Sequence, residues 1–284
     1  MPADAGASHI WALQEDVSDD FDYSAPPGNK GPQFYSKWDD WYHNHWGGPG
    51  LTEWDRGHVW VEDGKLQFRA SRVPGSDKVH LGCVSSKHRV KWPVYIEARA
   101  KVPNSVLACA VWTLSPDDTQ EIDLLEAWGG SYSENADKDQ SWFAERVHVS
   151  HHVFIRKPFT DYQPKDDSTY AVSPPGELWR DDFHRYGVYW RDPWHLEYYI
   201  DGELVRTTSG KDVIDPHDFT NGTGIDQEAD IIIDMEDHDW RSAQGITPTD
   251  AELSREQDHN FQVDWIRVYK PVPEDETAEA LSSA

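Results

Sequence analysis

Apolar and polar residues alternate over short segments along most of the chain, and Gly, Pro, Asn or Asp residues separate these segments. The alternation is typical of strands with one buried face, and its spacing favours an all-β sandwich. Asp63-Gly64 and Asp201-Gly202 each lie between two alternating segments and predict tight hairpins. Helical periodicity is confined to 249–256, where one short helix is expected. Longer strands are predicted at 94–102, 107–114, 146–155, 186–190, 230–235 and 261–269.

The segment Glu121-Ile122-Asp123-Leu124-Leu125-Glu126 places three carboxylates in an otherwise apolar strand. Side chains alternate between the two faces of a strand, so Glu121 and Asp123 share one face while Glu126 points away from it. A β-bulge at Leu124-Leu125 would add one residue and bring all three carboxylates into one cleft. Two carboxyl groups about 5–5.5 Å apart are what a retaining glycosidase uses as nucleophile and acid/base. The alternative interpretation is an acidic edge strand exposed to water.

The strand predicted around 147–156 has a mostly apolar face and a polar face. The apolar face, which suits the core, carries Val147, Val149, His151, Val153 and Ile155. The polar face, which suits a cleft, carries His148, Ser150, His152, Phe154 and Arg156. His148 and His152 are candidate metal ligands, as are His43 and His45, but no fixed metal-ligand spacing supports this. Hydrogen bonding to a substrate or ordinary packing is favoured instead.

The chain of 284 residues carries 52 acidic residues against 26 Lys and Arg, a net charge of −26. Because such a protein has no basic footprint for phosphate groups, nucleic acid is excluded as a partner. No apolar run approaches the length needed to cross a membrane. The acidic residues are spread along the whole chain, which favours adaptation to a salty habitat, where salt screens their mutual repulsion. An acidic protein from ordinary surroundings is the alternative.

The chain contains 15 Trp residues, an unusually large number. Aromatic rings bury well, and their flat faces also stack on sugar rings. Trp46, beside Gly47-Gly48-Pro49-Gly50, and Trp112 are expected to bind sugar, whereas Trp190 and Trp265 are expected to pack. The two cysteines, Cys83 and Cys109, leave open a disulfide or two buried thiols.

The sequence predicts one large domain at 16–272, preceded by an extension at 1–15 and followed by an acidic linker or tail at 273–284. Residues 1–8 lack the charged-then-apolar order of a secretion signal. We therefore expect either a cytoplasmic protein or a secreted protein whose leader is absent from this chain.

On these residues, the chain resembles the β-agarases of glycoside hydrolase family 16 from about residue 38 to residue 271. The segment 121–126 matches the bulged form of the family signature. Further agarase-like stretches are Gly48-Pro49-Gly50-Leu51-Thr52-Glu53-Trp54, Trp112-Thr113-Leu114-Ser115-Pro116-Asp117-Asp118, His151-His152-Val153-Phe154-Ile155-Arg156, Asp161-Tyr162-Gln163-Pro164 and Met235-Glu236-Asp237-His238-Asp239-Trp240-Arg241.

The resemblance implies a jelly-roll sandwich of two curved antiparallel sheets, concanavalin A-like, with a concave substrate cleft. It implies Glu121 as nucleophile, Glu126 as acid/base and Asp123 as an assisting residue. The substrate-binding residues that it implies are Trp46, Trp54, Trp112, His152, Arg156, Glu236 and Trp240.

The resemblance further implies a secreted enzyme, expected to be monomeric, that needs no cofactor for catalysis. Many members of the wider family carry a structural calcium ion, and Asp20, the Gly64 carbonyl and Asp264 match its ligand positions. Ordinary surface acids are the alternative interpretation of Asp20 and Asp264.

The implied reaction is endo-acting cleavage of the β-1,4 bond between D-galactose and 3,6-anhydro-L-galactose in agarose, which releases neoagaro-oligosaccharides. The net charge favours neutral agarose over sulfated porphyran as the substrate. A β-glucanase of the same family is another enzymatic alternative. A non-catalytic galactan-binding lectin is an alternative from a different class, because one fold hosts many functions. A lectin would not need three carboxylates in phase.

Overall fold

The computed structural model of this protein describes residues 1–275. From residue 276 onward, the tail predicted at 273–284 lies outside the described residues. The strands of the described part are β1 (His9–Leu13), β2 (Trp38–Asp39), β3 (Thr52–Trp54), β4 (Val59–Glu62), β5 (Lys65–Phe68), β6 (Ala70–Arg72), β7 (Val79–Leu81), β8 (Cys83–Ser86), β9 (Val94–Lys101), β10 (Ala108–Leu114), β11 (Gln120–Ala127), β12 (Tyr132–Ser133), β13 (Lys138–Asp139), β14 (Arg146–Arg156), β15 (Phe159–Tyr162), β16 (Tyr170–Val172), β17 (His184–Asp192), β18 (His195–Ile200), β19 (Glu203–Ser209), β20 (Asp230–Glu236) and β21 (Phe261–Pro273).

Short helices lie between these strands. They are α1 (Gly31–Lys37), α2 (Ser141–Ala144), α3 (Lys211–Ile214), α4 (Asp239–Ser242) and α5 (Asp250–Leu253), with 3₁₀ turns at Arg56–His58, Asp167–Thr169 and Glu256–His259. The predicted helix at 249–256 forms only in part, as α5. Thr249 and Glu252 begin it with a capping box, in which each side chain bonds the backbone N–H of the other residue.

Two large antiparallel sheets form the body of the protein. The outer sheet has the order β19-β18-β17-β9-β21-β5-β4, with β1 paired to β21. The inner sheet has the order β15-β14-β11-β10-β20-β8-β2, with β16 paired to β14. The predicted all-β sandwich is therefore confirmed. No helix within residues 1–275 is both long and apolar enough to span a membrane.

The hairpins and the longer strands form where the sequence predicts them. Both hairpin turns have two consecutive residues in the left-handed region, with φ of 52° and 68° at Asp63 and Gly64, and 51° and 89° at Asp201 and Gly202. This backbone geometry matches the twist of the flanking strands, which is why Asp-Gly is favoured there. The six longer predicted strands correspond to β9, β10, β14, β17, β20 and β21.

The core lies between the sheets and is built from the inward face of each strand. Val94, Ile96 and Ala98 on β9 are completely buried, as are Val147 and Val153 on β14. Burying one such aliphatic side chain stabilises the fold by about 1.5–3 kcal/mol. The alternation predicted for β14 thus points its apolar residues into the core and leaves the other face free for a cleft.

The two tryptophans that were expected to pack differ in burial. Trp190 is completely buried in the core, as predicted. Trp265 is only partly buried and pairs with Arg99 on the outer sheet, with the Arg267 guanidinium carbon 4.4 Å from its ring centre. The bulge in β21 between Val263 and Trp265 shifts the phase of this strand, which the alternating pattern alone did not reveal.

The segment predicted as an N-terminal extension is built into the outer sheet. Residues 9–13 form β1, which pairs with the end of β21. Trp11 packs edge-on against Tyr189 with ring centres 5.0 Å apart, and its indole N–H donates to the Ala3 carbonyl at 2.9 Å. Residues 1–15 therefore cover the outer face of the sandwich.

Both cysteines are buried free thiols, so the second of the two alternatives holds. Cys83 lies on β8 and Cys109 on β10, and β20 runs between them. Burial raises the pKa of both thiols well above the usual value, which makes them core residues without nucleophilic character.

The residues proposed to bind calcium are otherwise engaged. Asp264 accepts a hydrogen bond from Arg99 at 2.7 Å, and Asp20 accepts one from Arg267 at 2.9 Å. Gly64 lies in the β4–β5 turn. Calcium requires several oxygen ligands turned toward one point. Two carboxylates that each bind a guanidinium do not fit that requirement as they are arranged, and the calcium site stays an untested expectation.

Candidate active site

A β-bulge in β11 brings the three carboxylates of the signature to one face. Against β14, the pairing runs from Asp123 opposite Ser150 directly to Glu126 opposite His148. Against β10, Trp112 faces Asp123 and Val111 faces Leu125, so Leu124 is the extra residue. Leu124 and Leu125 are both completely buried. Because the bulge restores the phase, Glu126 lines the same cleft as Glu121 and Asp123, as predicted.

Glu121 and Asp123 form a compact cluster with His152. Oxygen and nitrogen atoms of the three side chains lie within 4.8 Å of one another. His152 Nε2 is 3.8 Å from Glu121 and 3.7 Å from Asp123, and its Nδ1 bonds Asp161 at 2.8 Å. Burial lowers the pKa of His152, but the surrounding carboxylates outweigh it and raise the value to about 10. His152 is therefore a cation that compensates part of the buried negative charge.

Glu121 and Asp123 compete for a proton in this cluster. Burial raises the pKa of Asp123 to about 7, and burial together with the Asp123 charge raises that of Glu121 well above its usual value. Asp123 Oδ2 is buried without a hydrogen-bond partner among the described residues. One proton on the pair removes the repulsion, because two adjacent carboxylates do not both ionise easily.

Two histidines surround Glu126. His148 Nδ1 lies 2.6 Å from one carboxylate oxygen, and His238 Nε2 lies 3.6 Å from the other. Burial acts to raise the pKa of Glu126, but the hydrogen bond and the charge of His148 lower it to about 2. His238 also bonds Glu236 at 2.6 Å, and these carboxylates raise its pKa to about 9 against the effect of burial. In the free protein Glu126 is therefore ionised and His238 is protonated.

The floor of the cleft contains one further buried acid. Asp234 on β20 is completely buried, and it accepts the Trp112 indole N–H at 3.3 Å. Its other oxygen has no partner among the described residues. Burial and the neighbouring Glu236 raise the pKa of Asp234 well above its usual value, so the group is neutral. It fixes the indole of Trp112 where the ring lines the cleft.

Aromatic side chains line the cleft, which has a volume of about 870 Å³. Trp46 and Trp240 stand at its rim with about half of their surface exposed, 47% and 45%. Arg156 lies between Phe154 and Phe159, with its guanidinium carbon 5.9 and 5.4 Å from the two ring centres. These groups offer flat faces and hydrogen-bond donors to a sugar chain.

One predicted substrate contact does not reach the cleft. Trp54 is buried in the core, and its ring stacks behind Tyr42 at 6.4 Å. Tyr42 lines the cleft in its place and packs edge-on against Trp46 at 5.3 Å. The Gly/Pro loop folds tightly over Trp54 and separates it from the cleft. This close packing requires glycine at position 48, because a Cβ atom there would lie 2.5 Å from the Thr52 side chain. Trp54 therefore supports the cleft wall without contacting substrate.

Of the other predicted residues, Trp46, Trp112, His152, Arg156, Glu236 and Trp240 all line the cleft. His148, predicted on the cleft face for substrate hydrogen bonding or packing, lines the cleft as well, whereas Tyr42, Asp234 and His238 were not predicted as site residues. Asp234 lies two residues before Glu236 on β20, so strand phase was an available signal. No sequence signal indicates that His238 faces Glu126, because the two lie on different segments.

His43, near the mouth of the cleft, has a structural role. His43 bridges Asp230 and Asp118 through its two ring nitrogens, at 2.8 and 2.9 Å. These carboxylates raise its pKa although burial opposes them. Both ring nitrogens are thus satisfied within the protein, which supports the packing role over hydrogen bonding to a substrate.

Comparison with known proteins places the chain in a family. It matches the family model described as β-porphyranase A-D, GH16 domain, over residues 11–271. It is 59% identical to β-agarase B of Zobellia galactanivorans, over 96% of this chain and 81% of that protein. A β-agarase of Phocaeicola plebeius is 54% identical, over 97% of this chain and 90% of its own length.

The solved structures show the same fold. An inactivated mutant of β-agarase B in complex with agaro-octaose has a TM-score of 0.93 and 58% identity, over 96% of this chain and 97% of that chain. Together with the bulged carboxylate strand and its aromatic cleft, these matches show that the chain belongs to glycoside hydrolase family 16.

Proposed function

We propose that this protein is an endo-acting, retaining β-agarase that hydrolyses the β-1,4-galactosidic bonds of agarose to neoagaro-oligosaccharides. The observation that carries the proposal is the bulge in β11, which sets three carboxylates in phase in a cleft lined with aromatic rings. Its curated relatives at 59% and 54% identity are β-agarases. Besides the three carboxylates, the cleft is lined by Trp46, Phe159 and Trp240, which offers room for several units of a polymer.

Glu121 is the proposed nucleophile. In the reactive form the proton of the pair is on Asp123, which can donate a hydrogen bond to the ionised Glu121. Attack of Glu121 on the anomeric carbon forms a glycosyl-enzyme while Glu126 donates a proton to the leaving oxygen. Water then attacks this intermediate, and Glu126 removes the proton that it had previously given.

The proton of the first step comes from His238, whose Nε2 lies 3.6 Å from the Glu126 carboxylate. When a sugar chain fills the cleft, it expels water, and the loss of solvation disfavours the separated charges of imidazolium and carboxylate. The proton then moves from His238 to Glu126. His148, with its Nδ1 2.6 Å from the other carboxylate oxygen, is a positioning residue beside the acid/base. Hydrolases of this family need no catalytic cofactor, so the Glu121, Asp123 and His152 cluster transfers protons and charge without a metal.

The charges of the cleft favour a neutral galactan. Besides the three central carboxylates, the lining includes Asp118, Asp161, Glu236 and Asp239, with Arg156 as its single Lys or Arg among the described residues. A sulfated chain such as porphyran would be repelled, although the matching family model is named for porphyranases. Agarose is therefore the proposed substrate.

We further infer that the enzyme is secreted, monomeric and adapted to salt. The net charge of −26 supports the last point. Self-repulsion of this size is largely screened at about 1 M salt, where the Debye length is about 3 Å.

The test is reducing-end release and product sizing on agarose, porphyran and laminarin, in about 0.1 M and about 2 M salt. Even-numbered neoagaro-oligosaccharides from agarose, with greater activity in strong salt, are expected. Cleavage of laminarin or porphyran in preference to agarose would overturn the substrate. Tight binding to agarose without release of reducing ends would indicate a lectin.

A further inference from the structure

The imidazole of His152 is turned toward two carboxylates of the cleft by a third one. Its Nδ1 lies 2.8 Å from Asp161, so the ring N–H on that side donates to this carboxylate. Its Nε2 therefore faces Glu121 and Asp123, at 3.8 and 3.7 Å. Both distances are longer than a hydrogen bond. Histidines that bind a metal through one nitrogen almost always donate the other ring N–H to a carboxylate, carbonyl or water, which fixes the ring in the same way.

Asp123 contributes a buried oxygen that has no partner. Only 6% of the residue is exposed, and its Oδ2, which faces His152, accepts no hydrogen bond from the described residues. A buried carboxylate oxygen left without a partner costs free energy that a bound ligand recovers. Asp123 lies opposite Ser150 on β14 and Trp112 on β10, so neighbouring strands hold its backbone on both sides.

The three side chains are close enough to bind one ion. One ligand atom each from Glu121, Asp123 and His152 forms a set in which all distances are within 4.8 Å. Ligand atoms around a tetrahedral zinc ion lie about 3.4 Å apart, so small side-chain rotations bring these atoms to that spacing. Zinc sites with three protein ligands leave a fourth position for water. Here that position opens into the cleft.

The imidazole determines which kind of ion fits. Nitrogen ligands suit Zn²⁺, Cu²⁺ and Ni²⁺, whereas Mg²⁺ prefers oxygen ligands and gives up its water reluctantly. A divalent cation also neutralises the two adjacent carboxylates, Glu121 and Asp123, which repel each other without one. Both the ligand atoms and the charge therefore favour a divalent transition-metal ion.

A second histidine between two carboxylates shows a contrasting arrangement. His43 bonds Asp230 and Asp118 at 2.8 and 2.9 Å, so both of its nitrogens are engaged in hydrogen bonds. In His152 only Nδ1 makes such a bond, and Nε2 is left facing the carboxylates. The geometry for an ion is thus present at His152 and absent at His43.

We propose that Glu121, Asp123 and His152 form a binding site for a divalent transition-metal ion of the Zn²⁺ class, and that the bound ion reversibly inactivates the enzyme. The ion takes up an electron pair of the Glu121 carboxylate, the group that attacks the anomeric carbon, and lies where the sugar ring would approach. Ion and substrate therefore exclude each other. The inhibition rests on the proposed function, because it acts through the nucleophile, whereas binding of the ion does not.

The test titrates zinc chloride into the whole protein by isothermal calorimetry, with magnesium chloride in parallel. About 0.2 M NaCl reduces the Debye length to about 7 Å and largely screens unspecific attraction to the acidic surface. His152→Gln removes the nitrogen ligand, and Asp161→Ala removes the group that orients it. His43→Gln is the matched control, because it alters a histidine beside two carboxylates whose nitrogens are both engaged.

For wild type we expect one site that binds Zn²⁺ at least about tenfold more tightly than Mg²⁺. His152→Gln should lose this site. Asp161→Ala should bind Zn²⁺ about tenfold more weakly, because losing the carboxylate that orients a metal-binding histidine costs about 10–100-fold in affinity. His43→Gln should bind as wild type does.

Reducing-end release from agarose provides the second measurement. Zn²⁺ should inhibit wild type, a chelator should restore the rate, and more Zn²⁺ should be needed for half-inhibition as the substrate concentration rises. Mg²⁺ at the same concentration should leave the rate unchanged.

Three results would overturn the site. They are equal Zn²⁺ affinity of wild type and His152→Gln, equal inhibition by Zn²⁺ and Mg²⁺, and inhibition that does not weaken as substrate is added. If His152→Gln does not fold, unchanged affinity of Asp161→Ala overturns the site instead. Failure of the proposed function is distinct, because wild type would then bind Zn²⁺ and yet release no reducing ends even without the ion.

Discussion

The outer face of the outer sheet and the cleft face of the inner sheet use the same residue types in opposite ways. On the outer face, Glu97 accepts a hydrogen bond from Tyr95 at 3.0 Å, and Glu197 accepts one from His195 at 2.9 Å. In the cleft, Asp123 and Asp234 each keep a buried oxygen without a partner among the described residues. Aromatic rings accompany the carboxylates on both faces.

The difference lies in what surrounds each carboxylate. A carboxylate that receives its hydrogen bonds from fixed neighbours contributes to the structure of a sheet. Carboxylates that face one another in a partly dry cleft cost stability, and their pKa values move apart, which a two-carboxylate reaction requires. The cleft therefore carries an arrangement that folding alone would not favour.

The largest expected effect is on kcat, which should depend on the carboxylates of the cleft face and not on those of the outer face. Glu121→Ser and Glu126→Gln should each lower kcat on agarose by at least about 10³-fold, because each removes a group that takes part in bond breaking. Glu97→Gln, on the outer face, should keep activity near wild type. Reducing-end assays on folded, purified variants measure all three. Wild-type rates for Glu121→Ser would remove the basis of the site assignment.

A second prediction concerns stability and pH. The folded pKa of Asp123, about 7, lies above its unfolded value, so its contribution to stability is present at low pH and is lost as the pH rises toward 7. Asp123→Asn cannot titrate. The free energy of unfolding of Asp123→Asn, minus that of wild type, should therefore increase by on the order of 2 kcal/mol between about pH 4 and about pH 8. Urea unfolding across this range measures the difference, and a difference independent of pH would contradict the prediction.

A third prediction compares two histidine–carboxylate contacts of similar length. His148 contacts Glu126 at 2.6 Å in the cleft, and His195 contacts Glu197 at 2.9 Å on the outer face. In His148→Gln the group that lowers the pKa of Glu126 is lost, so Glu126 should keep its proton to higher pH, and the alkaline limb of the kcat/KM profile should move about one pH unit higher. His195→Gln should leave the profile unchanged. Identical profiles for wild type and His148→Gln would reduce His148 to a packing role.

The prediction with the smallest expected effect concerns the surface ion pairs formed by the proposed calcium ligands. Arg99 and Asp264 are partly exposed, so Asp264→Asn should cost less than about 1 kcal/mol of unfolding free energy. A chelator should leave the Tm of wild type unchanged. A clear fall in Tm on chelation, restored by added calcium, would establish a calcium site and break the contrast between the two faces.

Much of the fold was predictable because it depends on local pattern. Alternation located the longer strands, and Asp-Gly located two turns whose backbone requires positive φ. The unequal spacing of the carboxylates indicated the bulge, since only an extra residue puts Glu126 in phase with Glu121. The burial of Trp54 and the incomplete burial of Trp265 were not predictable, because each depends on segments far away in sequence.

The sequence by itself determined the all-β architecture, the bulged strand and the identity of the three central carboxylates, because strand periodicity and turn preferences act over a few residues. Only the tertiary structure decided which histidines contact Glu126 and how Asp234 holds Trp112. Those contacts join β11 to β14 and β10 to β20. They arise only when the sandwich closes and brings distant segments within hydrogen-bonding distance.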